Sequence, residues 1–560
     1  MSVTPSSPLP RQVADAYVDA LIELDPAIGT YLGARESSSR LPDYSPAGQE
    51  KIAVLARETL AALDAAEKLP GADSDVERRC GRLLRERLTA ELAVREADEG
   101  LRVVSNISSP VHEVRETFTM TPAKTEEDWA AIAQRLRAVP AALAGYRASL
   151  ELGLERKLPA GPRATRTNIG QMTEWIGTER SWFGEFVSDG PDTLRAELDT
   201  AAGIATDALT GLRDWMRDVY APAVADAPDT VGRERYARWS RYYNGTDLDL
   251  DEAYAYGWSE YHRLLAEMRV EADRILPGAG PWEALAHLDE HGRHIDGVEE
   301  VRVWLQELMD EAIEALDGTH FELAERVRKV ESRIAPPGSA AAPYYSAPSE
   351  DFSRPGQTWL PTMGATRFPV YDLVTTWYHE GVPGHHLQLA QWAHVADQLS
   401  RYQATIGGVS ANLEGWALYA ERLMDELGFL PDPERRLGYL DAQMMRACRV
   451  IVDIGMHLEL EIPADSPFHP GERWTPELAE EFTDTHSGRP SDYVESELTR
   501  YLSMPAQAIG YKLGERAWLL GRENARKAHG DAFDAKAWHM AALSQGSLGL
   551  DDLVDELSKL

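Results

Sequence analysis

Apolar residues recur three or four positions apart along most of the chain, with polar residues between them, the spacing that turns one side of an α-helix toward a core. Val13, Tyr17 and Leu21 begin the series, Ile52, Leu55 and Leu63 continue it, and Cys80, Leu84 and Leu88 repeat it. Residues 251–276 place Tyr254, Trp258, Tyr261 and Leu264 on one side, and residues 301–316 carry the pattern on. No fixed-period repeat of the kind that builds a solenoid interrupts it. The pattern predicts a mainly α fold.

The texture changes over 329–362, which is rich in Pro, Gly and Ser and holds short β-prone pieces such as Pro343-Tyr344-Tyr345 and Gln357-Thr358-Trp359-Leu360. A small β-element is predicted there. Helical spacing resumes at Tyr371, with breaks near Gly407-Gly408, around Pro431 and Pro433, and between Pro463 and Pro476. No stretch has the composition of a linker between independent domains. The expected organisation is one large helical body, with an N-terminal part over 1–328, the β and loop element over 329–362, and a C-terminal helical part over 363–560.

At 560 residues the chain has ample length for a large core, and it carries only two cysteines, Cys80 and Cys448, both inside helical patterns. They read as small buried side chains and not as a disulfide or a metal pair, which fits a reducing compartment. The formal net charge of −35 argues against nucleic-acid binding, which needs concentrated basic surface. No apolar run is long enough to span a membrane, and the N-terminus lacks a basic start followed by an apolar run. The cytoplasm is the expected location. The oligomeric state stays open between monomer and homodimer.

The string of densest chemistry is His379-Glu380-Gly381-Val382-Pro383-Gly384-His385-His386. Helical zinc peptidases use H-E-x-x-H because residues four apart share a face, so two imidazoles meet one ion while the Glu reaches its water. Here the second His comes six residues on, which in a straight helix turns it roughly 120° away from the first. Pro383-Gly384 supplies the distortion that brings His385 back. His386 lies on the face of His379 but roughly 10 Å further along the axis, too far for both to bind one metal. His385 is thus preferred as the second ligand over His386.

A third ligand is expected from a neighbouring helix, and Glu414 in Asn412-Leu413-Glu414-Gly415-Trp416 follows soon after the Gly-Gly turn. Glu421 is seven residues on and shares its face, either as a support for a ligand or as a solvated side chain. Arg446, Arg449, Asp453 and His457 form another ionisable face, in which Asp453 is placed to hold the His457 ring unless the two form an ordinary surface pair. The segment Glu497 to Gly514 contributes Arg500, Tyr501 and Tyr511 around a helix-perturbing Pro505.

Together, HEGVPGHHLQ, EGWALYAE, the R-x-x-R-x-x-x-D-x-x-x-H helix and RYLSMPAQAIGYKLG resemble the bacterial domain-of-unknown-function 885 family, nearly from end to end. Leu24-Asp25-Pro26, Tyr31-Leu32-Gly33, Ala342-Pro343-Tyr344-Tyr345 and Arg354-Pro355-Gly356 belong to the same likeness. That family in turn is similar to the thermostable carboxypeptidases and thimet-type oligopeptidases, helical zinc enzymes with a deep cleft. The resemblance implies His379 and His385 as ligands, Glu380 as general base, Glu414 as third ligand and Tyr511 as oxyanion donor. One Zn²⁺ per chain is expected, with a peptide or small amide as substrate and carboxypeptidase-like action on short peptides. Arg500 is the candidate grip for a substrate carboxylate. Tyr345, His386, Glu421, Asp453, His457 and Tyr501 are candidates for substrate contact or for support behind the ligands. An amidase or esterase acting on a small molecule, a silent peptide-binding relative and a metal-free helical scaffold are the rival readings.

Overall fold

A computed structural model describes residues 8–336 and 342–560; the first seven residues and part of the Pro/Gly/Ser-rich stretch, 337–341, lie outside the described residues. The chain forms two compact units. One comprises Met1–Asp73, Leu88–Arg238 and Glu495–Pro505, the other Ser74–Arg87, Trp239–Val494 and Ala506–Leu560.

In the first unit, α1 (Pro10–Leu24) packs on α2 (Pro46–Ala66), and α3 (Glu126–Glu155) packs on α4 (Arg195–Trp215). The start of α3 is fixed by a reciprocal cap: Asp128 N–H donates to Thr125 Oγ1 at 3.1 Å, and the Asp128 carboxylate accepts the Thr125 N–H at 3.0 Å. Its core stripe, including Ile132, Leu136, Val139 and Leu150, meets Leu198, Ala201 and Ala205 of α4. Arg135, on the same helix, is fully buried and satisfied without any carboxylate, donating to the carbonyls of Arg40, Thr117 and Ser37 and to the hydroxyls of Thr30 and Thr121.

The second unit is built around seven helices: α5 (Leu250–Ile275), α6 (Pro281–His291), α7 (Val298–Leu316), α8 (Val370–Glu380), α9 (His385–His394), α10 (Ser410–Glu426) and α11 (Pro433–Leu458), with α12 (Gly510–His529) lying along α10. Helix α11 packs along α5 and against α8, and it is buried on nearly every side from Leu437 to His457. It is apolar over much of its circumference, as an interior helix must be, yet it also buries Asp441, Gln443, Arg449, Asp453 and His457.

The predicted β-element is present. Strand β2 (Val330–Ile334) pairs parallel with β4 (Gly356–Leu360), which pairs antiparallel with β3 (Tyr344–Ser346), in register Val330↔Gly356 and Tyr345↔Thr358. Along β4 the buried residues alternate, with Gly356, Thr358 and Leu360 inward. A separate antiparallel pair, β1 (His294–Asp296) with β5 (Arg367–Pro369), leads directly into α8. The indole N–H of Trp377 on α8 donates to Ser332 Oγ of β2 at 2.9 Å, which ties the three-stranded sheet to the helix carrying His379.

Candidate metal centre

Helix α8 stops at Glu380, and α9 starts afresh at His385, so the two histidines sit on two helices and not on one distorted helix. The break is organised by the backbone. Gly381 N–H bonds to Trp377 O at 2.8 Å, Gly384 N–H to Tyr378 O at 3.0 Å and His386 N–H to Gly381 O at 3.1 Å. The Val382–Pro383 bond is cis. A Cβ on Gly384 would stand 1.9 Å from His379 O, so only glycine lets the loop lie on the end of α8. From α10, the Trp416 indole N–H points at both Pro383 O (2.9 Å) and Gly384 O (3.1 Å).

A second glycine contact brings the third candidate ligand in. Gly415 of α10 and Gly514 of α12 meet backbone to backbone, and a Cβ on Gly514 would lie 2.0 Å from Ala411 O. That close crossing brings together the helix segments bearing Glu414 and Tyr511. Tyr511 stacks on His379, with ring centres 6.5 Å apart and planes 18° from parallel. The Arg449 guanidinium lies 4.7 Å from the centre of the Tyr511 ring.

His379, His385 and Glu414 converge. Glu414 Oε2 is 3.5 Å from His379 Nε2 and 3.5 Å from His385 Nε2, and one ligand atom from each residue falls within 4.8 Å of the others. A tetrahedral ion with bonds of about 2.1 Å separates its ligands by about 3.4 Å, so the three atoms stand where such an ion would need them. Glu414 Oε2 is buried and has no hydrogen-bond partner of normal length, an orphaned acceptor that a cation would satisfy. Two imidazoles and a carboxylate suit a divalent ion such as zinc. Among the described residues this is the one group of three or more His, Cys, Asp or Glu with that convergence.

Behind the ligands, His379 Nδ1–H donates to Glu421 Oε1 at 2.7 Å, and Thr375 Oγ1 donates to Glu421 Oε2 at 3.0 Å. Glu421 is buried and not solvated. Arg446 Nη2 stands 3.8 Å from Glu421 Oε1. Burial favours a neutral His379, yet the nearby Glu414 carboxylate and the hydrogen-bonded Glu421 outweigh this and hold the imidazole up at about 9. Burial likewise opposes the charged form of Glu414, but the two imidazoles pull it well below the usual carboxylate range. Burial pushes the Glu380 carboxyl up, with His379 and His385 acting in the opposite direction.

His386 faces away from this group. Its Nε2–H donates to Val327 O at 2.6 Å, and its Nδ1 accepts from the Tyr345 hydroxyl at 2.9 Å. Both ring nitrogens are used, and burial pushes its pKa down to about 4. Asp453 and His457 are both fully buried rather than a surface pair, with His457 Nε2 and Asp453 Oδ1 3.7 Å apart, beyond a hydrogen bond. Asp453 Oδ2 instead accepts the N–H of Ala506, a residue held at φ +67° in the turn before α12. Arg500 and Tyr501 belong to the first unit, where Arg500 forks onto Glu497 at 2.9 and 2.8 Å and the Tyr501 hydroxyl donates to Glu497 at 2.8 Å.

Residues that the pattern assigns only to packing also shape the centre: Trp416, Thr375, Gly415 and Gly514. Thr375 was detectable, since it stands four residues before His379 on the same helix face. The indole bond of Trp416 and the glycine contact are tertiary and leave no mark in spacing.

Fold and site together define a mainly α-helical protein with a candidate three-ligand metal centre. The chain belongs to the family described as bacterial protein of unknown function (DUF885), which matches residues 26–557. Its fold is similar to that of a protein described provisionally as a lipoprotein from Colwellia psychrerythraea, 22% identical, with 98% of each chain covered and a TM-score of 0.84. It is also similar to one described provisionally as a lipoprotein of unknown function from Shewanella oneidensis, 18% identical, covering 98% of this chain and 100% of that one with a TM-score of 0.73. No curated protein matches the sequence. Among the described residues no helix is long and apolar enough to cross a membrane.

Proposed function

We propose that this chain is a zinc-dependent hydrolase that cleaves peptide bonds, with His379, His385 and Glu414 holding the ion. The observation that carries this reading is the convergence of His379 Nε2, His385 Nε2 and Glu414 Oε2 beside Glu380, the residue next to a ligand whose buried carboxyl is held above its ordinary range. A divalent ion bound there supplies Lewis acidity toward a water and a carbonyl oxygen.

The remaining chemistry belongs to the chain. Glu380 accepts the proton of the attacking water and returns it to the leaving amine, and its raised pKa suits both halves of that task. Glu421 holds His379 in the Nδ1–H tautomer, which leaves Nε2 for the ion. Tyr511, stacked on His379 and set against Arg449, is the candidate oxyanion donor. Arg500 forks onto Glu497 with two of its five N–H donors and remains the candidate grip for a substrate carboxylate.

Metal content of the purified chain, measured beside hydrolysis of short peptides, tests the proposal. Glu380→Gln is expected to retain the metal while losing peptide hydrolysis by about 100- to 10,000-fold. Failure to bind metal after reconstitution would sink the reading, and a metal-loaded chain active only on small amides or esters would move the substrate to that class. We infer a cytoplasmic location from the two free buried cysteines; the provisional descriptions of the two structural relatives speak for a lipid-anchored protein instead, and cell fractionation separates the two.

A further inference from the structure

We propose a second divalent-cation site, on helix α6, formed by His287 and His291. The two residues are four apart in one helix and therefore share a face, the arrangement by which two imidazoles chelate one ion. Their ring centres are 4.8 Å apart with planes at 80°. His379 and His385 stand in almost the same relation, 4.8 Å and 88°.

Several other imidazoles of the second unit are tied down: His386 between Val327 O and Tyr345, His539 to the Tyr419 hydroxyl at 2.7 Å, and His294 to Gly292 O at 2.6 Å. No such bond holds His287 or His291. Glu290 Oε2 is 3.8 Å from His291 Nε2, outside hydrogen-bond range, and the His291 side chain is 61% exposed.

The pair opens on a groove of about 490 Å³ that is also lined by Arg293, Tyr371, Asp432, Glu434 and Arg435. Among the described residues no third His, Cys, Asp or Glu joins the pair within the 4.8 Å that gathers the ligands of the first centre. The chain thus supplies two nitrogens, and water fills the coordination positions that face the groove. Two nitrogen ligands select borderline ions with high imidazole affinity, Cu²⁺ and Zn²⁺, over Mg²⁺ or Ca²⁺. With one ligand fewer and no buried carboxylate, this site binds more weakly than the first, and it stands whether or not the first centre is catalytic.

Calorimetric titration of the metal-stripped full chain with Zn²⁺ tests it. Wild type is expected to take up two equivalents, one tight and one weaker. His287→Ala and His291→Ala should each weaken the second by about tenfold or more while leaving the tight one unchanged, and His379→Ala should do the reverse. His291 is exposed and His287 half-buried, and circular dichroism checks that the variants fold. A Cu²⁺ titration followed by electron paramagnetic resonance should show two nitrogen ligands that fall to one in either variant. Absence of a second equivalent, or one that persists unchanged in both alanine variants, overturns the proposal.

Discussion

Glu421 lies directly behind His379, 2.7 Å from its Nδ1, and turns the ring so that Nε2 faces Glu414. A carboxylate in that position fixes the tautomer and raises the basicity of the metal-facing nitrogen. Glu421→Gln keeps the shape and an acceptor but removes the charge, and it should weaken metal binding by about 10- to 100-fold. Competition with a chromophoric chelator measures this; an unchanged affinity would remove Glu421 from the centre.

His386 separates from its neighbour by metal retention. Its two nitrogens are engaged by Val327 O and the Tyr345 hydroxyl. His386→Ala should therefore retain bound metal through dialysis, whereas His379→Ala and His385→Ala should lose it. Elemental analysis reads all three, and metal loss from the His386 variant alone would reverse the assignment.

The glycines at the centre are steric requirements. In Gly384→Ala the new methyl meets the His379 carbonyl, and in Gly514→Ala it meets that of Ala411, in both cases backbone that cannot swing aside. Each should lower stability by about 1–3 kcal/mol or more, and Gly384→Ala should also lose metal. Gly170, in the helix Pro162–Ile176, has nothing within 4 Å of its Cβ position. Gly170→Ala is expected to be neutral or stabilising by up to about 1 kcal/mol in thermal or denaturant unfolding.

Asp441 gives the pH dependence a sign. Burial, only partly offset by Arg489 at 3.3 Å, raises its pKa to about 7. The folded chain then holds a proton that the unfolded chain has released, so its contribution to stability falls as pH rises from about 4 to about 7, by at most about 1.4 kcal/mol per pH unit. Asp441→Asn should flatten the loss of melting temperature between pH 5 and pH 7 relative to wild type. An identical pH profile in the variant would show that Asp441 titrates normally.

The sequence shows helix where an apolar stripe faces a core and shows the three-stranded β-element within 329–362, because both are local signals, but the β1–β5 pair lies outside that stretch and joins segments about 70 residues apart, so it leaves no local mark. It also reads His379, Glu380, His385 and Glu414 as one group, since Pro383-Gly384 marks the place where helix geometry has to fail. It does not show how that failure happens. A distorted single helix and two separate helices have the same sequence, and what separates them is a loop pinned by Trp416, a residue indistinguishable by spacing from ordinary core. The partners of Asp453 were hidden for a related reason: its spacing to His457 is regular, but its short bond is to the backbone of Ala506, 53 residues away.

The interruption between α8 and α9 has a kinetic consequence. Because the two imidazoles stand on separate helices joined by four residues, chelation of the proposed ion would close a ring through the segment 381–384. If the proposed ion binds, it restrains both ends of that segment, so loading is expected to slow the opening that exposes its amides. The N–H groups of Gly384 and His386, bonded to Tyr378 O and Gly381 O, become local reporters of the ion, and their deuterium uptake should slow on loading while the N–H of Trp129, in the first turn of α3, keeps its rate.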